Sequence, residues 1–247
     1  MRAMCACKPM SAFVTLIHVI SPSRCPLRRE DGFVVIGSKA DPDRSDNTAI
    51  RVGDSPDNIQ IVGIVSCDLG SVTGTVTQGS LRLTRGRVFN TNPVDNWGGS
   101  LEVDVADAFS GSTALQTQDG SAAADMGDAA SSVSLSRARL QADFTSSAAS
   151  GRLGAGGVVQ FRIKMSRATN GNGRPDLVTF FSAEKSEQAP SVVLTFSGSG
   201  SATGSTSTGE SGGDTSGGSG GSTDNGNDSD NGNDNGNDND NNDNDNN

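Results

Sequence analysis

Phe180-Phe181-Ser182-Ala183-Glu184 and, a short turn later, Pro190-Ser191-Val192-Val193-Leu194-Thr195-Phe196 are the last apolar runs of the chain. Alternate residues of a strand point to opposite faces, so Val192, Leu194 and Phe196 form one side of a terminal strand and Val193 and Thr195 the other. Pro190 stands at the strand's start, where its missing N–H costs the ladder least. Nothing apolar follows but isolated residues. The pair reads as the closing hairpin of a β-domain that runs directly into a tether.

Working back from that hairpin, period-2 alternation recurs as far as Phe33, and no segment keeps the helical period for three turns. The candidate strands are 32–36, 49–53, 59–68, 80–88, 100–105, 132–140, 158–165, 177–182 and 191–196. In Ser100-Leu101-Glu102-Val103-Asp104-Val105 the apolar residues face a core and the two acids face water. Val159, Phe161, Ile163 and Met165 against Gln160, Arg162 and Lys164 read the same way. Ile59 to Val65 is apolar on both faces, which places it mid-sheet. Short strands separated by Gly, Asn and Asp turns predict an all-β fold, a two-sheet sandwich of jelly-roll type. The connection 106–131, rich in Ala, Gly, Ser and Asp, is long enough to predict a short helix near 122–126.

The formal charge of −10 divides sharply along the chain. Residues 198–247 carry ten of the 29 acids and no Lys or Arg, so the rest of the chain balances its 19 acids with 19 basic residues. An electroneutral folded part gives no footprint for nucleic acid. The tail runs from Gly/Ser/Thr repeats into Asp-Asn-Gly-Asn units, and neither half can bury enough apolar surface to offset chain entropy. The expected organisation is a leader at 1–30, a β-sandwich at 31–197 and a disordered acidic tail at 198–247.

Ala12 to Ile20 is an apolar run flanked by Arg2, Lys8 and Arg24, which is signal-peptide grammar without an A-x-A cleavage site. An unstructured leader, a degenerate secretion signal and a misplaced start are the alternatives. The run is too short to span a bilayer, so no membrane insertion is expected. Of the four cysteines, Cys5, Cys7 and Cys25 lie outside the β-pattern and Cys67 lies alone within it. A disulfide framework for the core is not expected, and Cys67 reads as a buried small hydrophobe.

Several short stretches, in order, carry a family likeness: Asp31-Gly32-Phe33-Val34, Ile50-Arg51-Val52-Gly53-Asp54, Ile64-Val65-Ser66-Cys67-Asp68-Leu69-Gly70-Ser71, Gly79-Ser80-Leu81-Arg82-Leu83, Asn92-Pro93, Asn170-Gly171-Asn172 with Asp176, and the closing pair. Together they resemble the bacterial DNRLRE-type domains, extracellular β-sandwich modules similar to carbohydrate-binding modules. The resemblance spans most of residues 31–196. It implies an extracellular or cell-surface location, a polysaccharide ligand and a structural Ca²⁺. The chain departs from the pattern in having Cys67 where such domains carry an aromatic residue, and in lacking Tyr.

Catalysis has little to work with: the chain holds one His and no Tyr, and it shows no phosphate loop, zinc spacing or serine elbow. Ca²⁺ takes hard oxygen ligands, which Asp and Asn on Gly-bearing loops supply. The candidates are Asp41, Asp43, Asp46, Asp54, Asn170, Asn172 and Asp176. The same residues are also ordinary turn formers. For a sugar, the loop after Phe89 holds Asn90, Asn92 and the chain's one Trp, Trp97, and is entered from a strand carrying Arg85 and Arg87. An aromatic face with amides and guanidinium groups suits a polyhydroxylated or uronic-acid ligand. Trp97 folded back as a plug over the sandwich end is the competing reading. The expectation is a monomeric, non-catalytic, extracellular module that binds polysaccharide weakly, with a purely structural or adhesive module as the alternative.

Overall fold

The computed structural model describes residues 23–25, 31–37, 39–41, 50–183 and 187–203. Its strands are β1 (Ser23–Arg24), β2 (Gly32–Val35), β3 (Lys39–Asp41), β4 (Ile50–Asp54), β5 (Gln60–Asp68), β6 (Val72–Phe89), β7 (Leu101–Ala106), β8 (Ser132–Leu135), β9 (Arg139–Phe144), β10 (Val158–Met165), β11 (Leu177–Phe180) and β12 (Ser191–Ala202). Two short helices, α1 (Pro93–Asn96) and α2 (Ser147–Gly154), and a 3-10 turn at Thr117–Gly120 complete it. The chain is all-β, as its alternation predicts.

The sheets of the sandwich are one antiparallel sheet, nearly closed, and β6 is the strand that joins them. Residues 72–82 of β6 pair with β12 and residues 79–84 with β9 on the other side, with β8 beyond β9 and β1 on the end of β12. Residues 85–89 then pair with β11, which continues through β4, β5 and β10 to β7. The ladder shifts register between Val178 and Phe180 at this transfer. Accordingly Leu81 and Leu83 face the core before it and Val88 after it. β5 is central, carrying β10 along Gly63 to Asp68 and β2 along Ile61 to Ile64, with β4 at its first residues.

The core lies between the two halves. Leu81, Leu83, Leu140, Phe144, Leu194 and Phe196 meet Val65, Val103, Phe161, Ile163, Val178 and Phe180, all buried. Phe144 and Phe161 touch across it at 5.6 Å between ring centres, tilted by 43°. α2 is opened by the Ser146 hydroxyl, which accepts from the Ala149 N–H, and it lays Leu153 against Gly79 so closely that a Cβ there would sit 2.1 Å from Leu153 Cδ1.

The structure corrects the cysteine reading, because Cys67 is disulfide-bonded to Cys25 and both are buried. β1 pairs Ser23 with Val192 and Arg24 with Ser191, and the Cys25 N–H donates to the Pro190 carbonyl at 3.0 Å. Residues 23–25 therefore belong to the domain, not to a leader ending at 30. At the other end β12 continues past 197 to Ala202, paired with Thr73 and Val72 of β6. Most of residues 1–30, and residues 204–247 of the tail, lie outside the described residues. The segment 132–140 is likewise not one strand but parts of two, β8 and β9, paired as a hairpin.

A second correction concerns the polar face of β7 and β10. Asp104 and Gln160 are fully buried and Arg162 is 6% exposed, where alternation predicts solvent. The connection 106–131 covers them. Arg162 donates through Nε and Nη2 to Asp104 Oδ2 at 2.9 and 2.6 Å, and through Nη1 to the carbonyls of Asp119 and Ala122 at 2.9 and 2.8 Å. Its guanidinium also stacks over Phe109 at 4.5 Å. Gln160 accepts from the Phe109 N–H and donates to the Thr113 carbonyl. Burial alone would raise the Asp104 pKa; the Asp128 N–H, Lys164 and Arg162 overcome it and hold the carboxyl below its ordinary range. No helix forms at 122–126; the 3-10 turn precedes it and Met126 bridges to Val105.

Candidate functional site

Pairing brings the two amide-rich loops read separately in the sequence to one end of the sandwich. Leu177 stands opposite both Phe89 and Gly53, which sets Asp176 beside the residues that follow β6 and the end of β4. Gly53 is required there: its φ is 146°, and a Cβ would lie 1.9 Å from the Asp176 carbonyl oxygen. That approach lets the Asp54 N–H donate to the Asp176 carbonyl and the Asp176 N–H to Asp54 Oδ1, each at 3.1 Å. Asn90, with φ of 55°, turns the chain out of β6. Asn92 then caps α1, accepting from the Val94 N–H at 3.3 Å and donating to Asp95 at 2.6 Å, with Pro93 at the first helical position.

Asp176, fully buried, is the hub. Its Oδ1 accepts from Asn90 Nδ2 at 2.5 Å and the Thr91 N–H at 3.1 Å. Its Oδ2 accepts from Asn170 Nδ2 at 2.6 Å, Asn172 Nδ2 at 2.9 Å and Trp97 Nε1 at 3.3 Å. Burial would raise its pKa, but the hydrogen bonds from Thr91, Asn90 and Asn170 prevail and bring it down to about 2. Asp54, also buried, accepts from Thr169 Oγ1 at 2.6 Å.

Trp97 is only 3% exposed and packs into the core with its N–H on Asp176. It fills the end of the sandwich and presents no free face for a sugar ring. Arg85 points elsewhere: Nη1 donates to the Ser136 carbonyl at 3.1 Å, in the turn between β8 and β9. The side chain of Arg87 is exposed, while its backbone N–H and carbonyl are both bonded to the Thr179 hydroxyl. Asn90 and Asn92 are spent on Asp176 and on the helix cap. Among the described residues the large apolar side chain that does face solvent is Phe89, 41% exposed, which the sequence reading passed over. It lies two residues beyond Arg87, past the register shift, and both are exposed, on the side of the strand opposite Val88.

The calcium candidates separate. Asp43 and Asp46 lie outside the described residues, and Asp41 closes β3. Asp54, Asn170, Asn172 and Asp176 do cluster, but their chemistry is that of an internal network. Amide nitrogens, not oxygens, face the Asp176 carboxylate. The oxygens of Asn170 and Asn172 accept the N–H groups of Asn172 and Arg174 at 3.0 and 2.7 Å. Ca²⁺ requires six to eight oxygens aimed at one point, and this arrangement does not fit it.

Five donors on one carboxylate define what the cluster can do: it holds β6, α1 and the loop before β11 together. Because the folded pKa lies below the ordinary 3.8, the stabilisation is complete above about pH 4 and is lost as pH falls towards 2. It amounts to about 2 kcal/mol at neutral pH. Urea unfolding followed from about pH 5 to 2 should show this loss in the parent and a shallower one in Asp176→Asn; equal slopes would remove Asp176 as its source. No protein-family model and no curated protein matches the chain.

Proposed function

We propose that the chain is a non-catalytic structural module, a spacer or adhesive domain of a secreted or cell-surface protein, without a small-molecule ligand of its own. The observation that carries this reading is the closure of the loop end: the polar groups suited to a ligand are bonded to Asp176 or to helix ends, and Trp97 is buried beneath them. The Cys25–Cys67 disulfide supports an oxidising compartment, since such bonds persist outside the reducing cytosol. Among the described residues the buried carboxylates Asp54, Asp104 and Asp176 are each held in internal hydrogen bonds. No described helix is long and apolar enough to cross a membrane.

The DNRLRE-type likeness and the exposure of Phe89 beside Arg87 favour a second reading, weak polysaccharide binding on the outer face of β6. One stacked ring contributes about 0.5–1.5 kcal/mol beyond burial, so affinity would stay near the millimolar range. Affinity electrophoresis of the full chain through neutral and uronic-acid polysaccharides tests the two. Unchanged mobility is expected of the structural module. Retention that disappears in Phe89→Ala or Arg87→Ala would establish the second reading instead.

A further inference from the structure

The loop that locks Asp176 is Asn170-Gly171-Asn172-Gly173, two successive Asn-Gly pairs, with Gly171, Asn172 and Gly173 exposed. In an Asn-Gly pair the glycine nitrogen, unshielded by a side chain, can attack the Asn Cγ. The N–Cγ bond forms, the Cγ–Nδ2 bond breaks and ammonia leaves. Water then opens the imide to aspartate or isoaspartate, so the sum is amide plus water to acid plus ammonia, with no further reactant. Here both leaving amides are the ones donated to the buried carboxylate.

We propose that Asn170 and Asn172 are a deamidation-sensitive lock on the loop end, protected while the Asp176 network is closed and destructive to it once converted. Protection has a geometric source. The Gly171 N–H donates to Thr169 Oγ1 at 2.9 Å and the Gly173 N–H to Asn58 Oδ1 at 3.0 Å, so each nucleophile is already engaged. Each Nδ2 is held on Asp176 and each Oδ1 on a backbone N–H two residues ahead. Cyclisation therefore requires the loop to open. The consequence follows from charge: conversion at either position replaces a donor with a second carboxylate against one that is fully buried. Two carboxylates on one site repel, and the donors from Asn90, Thr91 and Trp97 cannot serve both.

The test is incubation of the full chain at mildly alkaline pH, folded and in urea, with deamidation at each Asn-Gly pair followed by peptide mass spectrometry. Conversion at Asn170 and Asn172 should be slower in the folded chain by about tenfold or more, as expected where reaction proceeds only from an opened state. Equal rates folded and unfolded would overturn the protection. The chemical products are mimicked by Asn170→Asp and Asn172→Asp, each expected to lower the melting temperature by on the order of 5–10 °C at neutral pH. Asn170→Ala, which removes the donor without adding charge, should cost less than Asn170→Asp at neutral pH, and the gap should close as pH falls through the carboxylate range. Aspartate variants that melt with the parent would overturn the claim that conversion unlocks the loop.

Discussion

Replacing Cys25 with Ala should lower the unfolding free energy by about 4 kcal/mol. The crosslink spans 42 residues of sequence, and closing a loop of that size removes this much chain entropy from the unfolded state. Both sulfurs are buried, and β1 contributes only a two-residue pairing with β12, so little else among the described residues holds this end in place. Urea unfolding of the oxidised parent beside Cys25→Ala reads the loss. Reduction of the parent should reproduce the variant. Superimposable curves for the parent with and without reductant would show that the bond does not stabilise the fold.

Arg162→Ala should cost about 3–5 kcal/mol, because it strands the fully buried Asp104 carboxylate with Lys164 as its remaining cationic partner. The same guanidinium ties down the carbonyls of Asp119 and Ala122, so residues 107–130 should also become early cleavage sites in limited proteolysis. Arg162→Met with Asp104→Leu, which removes both charges and keeps the volume, should recover much of the stability without restoring the loop's protection. If Arg162→Ala unfolds with the parent, the charge pair does not hold the fold.

Alternation made the apolar strands legible, and it failed where the physics lay outside a two-residue period. β10 runs over Val158–Met165, as its alternation indicates, yet the same pattern cannot say whether Arg162 meets water or another segment. The covering connection carries few large apolar residues and is held through backbone carbonyls, which leave no mark in a sequence. The outer ends of β6 and β12 were missed because Thr73, Thr75, Thr77, Ser197 and Ser201 form a hydroxyl face with no hydrophobic contrast. Cys25 follows an apolar run that resembles a leader, and its partner depends on β1 meeting a strand nearly 170 residues later. At the loop end each amide cluster could be seen alone. Their union depends on the register of Leu177 with Phe89 and Gly53, which no local pattern encodes.

The closed loop end can be read through the chain's one Trp. Trp97 is 3% exposed with its indole N–H on Asp176, so its emission reports on the network directly. The decisive measurement is Trp fluorescence of the full chain titrated with Ca²⁺ and with neutral and uronic-acid polysaccharides, together with quenching by a neutral soluble quencher. A blue-shifted emission that resists quenching and does not change with any titrant is the expected result. A saturable change with Ca²⁺ or a polysaccharide, abolished by Asp176→Asn, would contradict it and make this end of the sandwich a binding site.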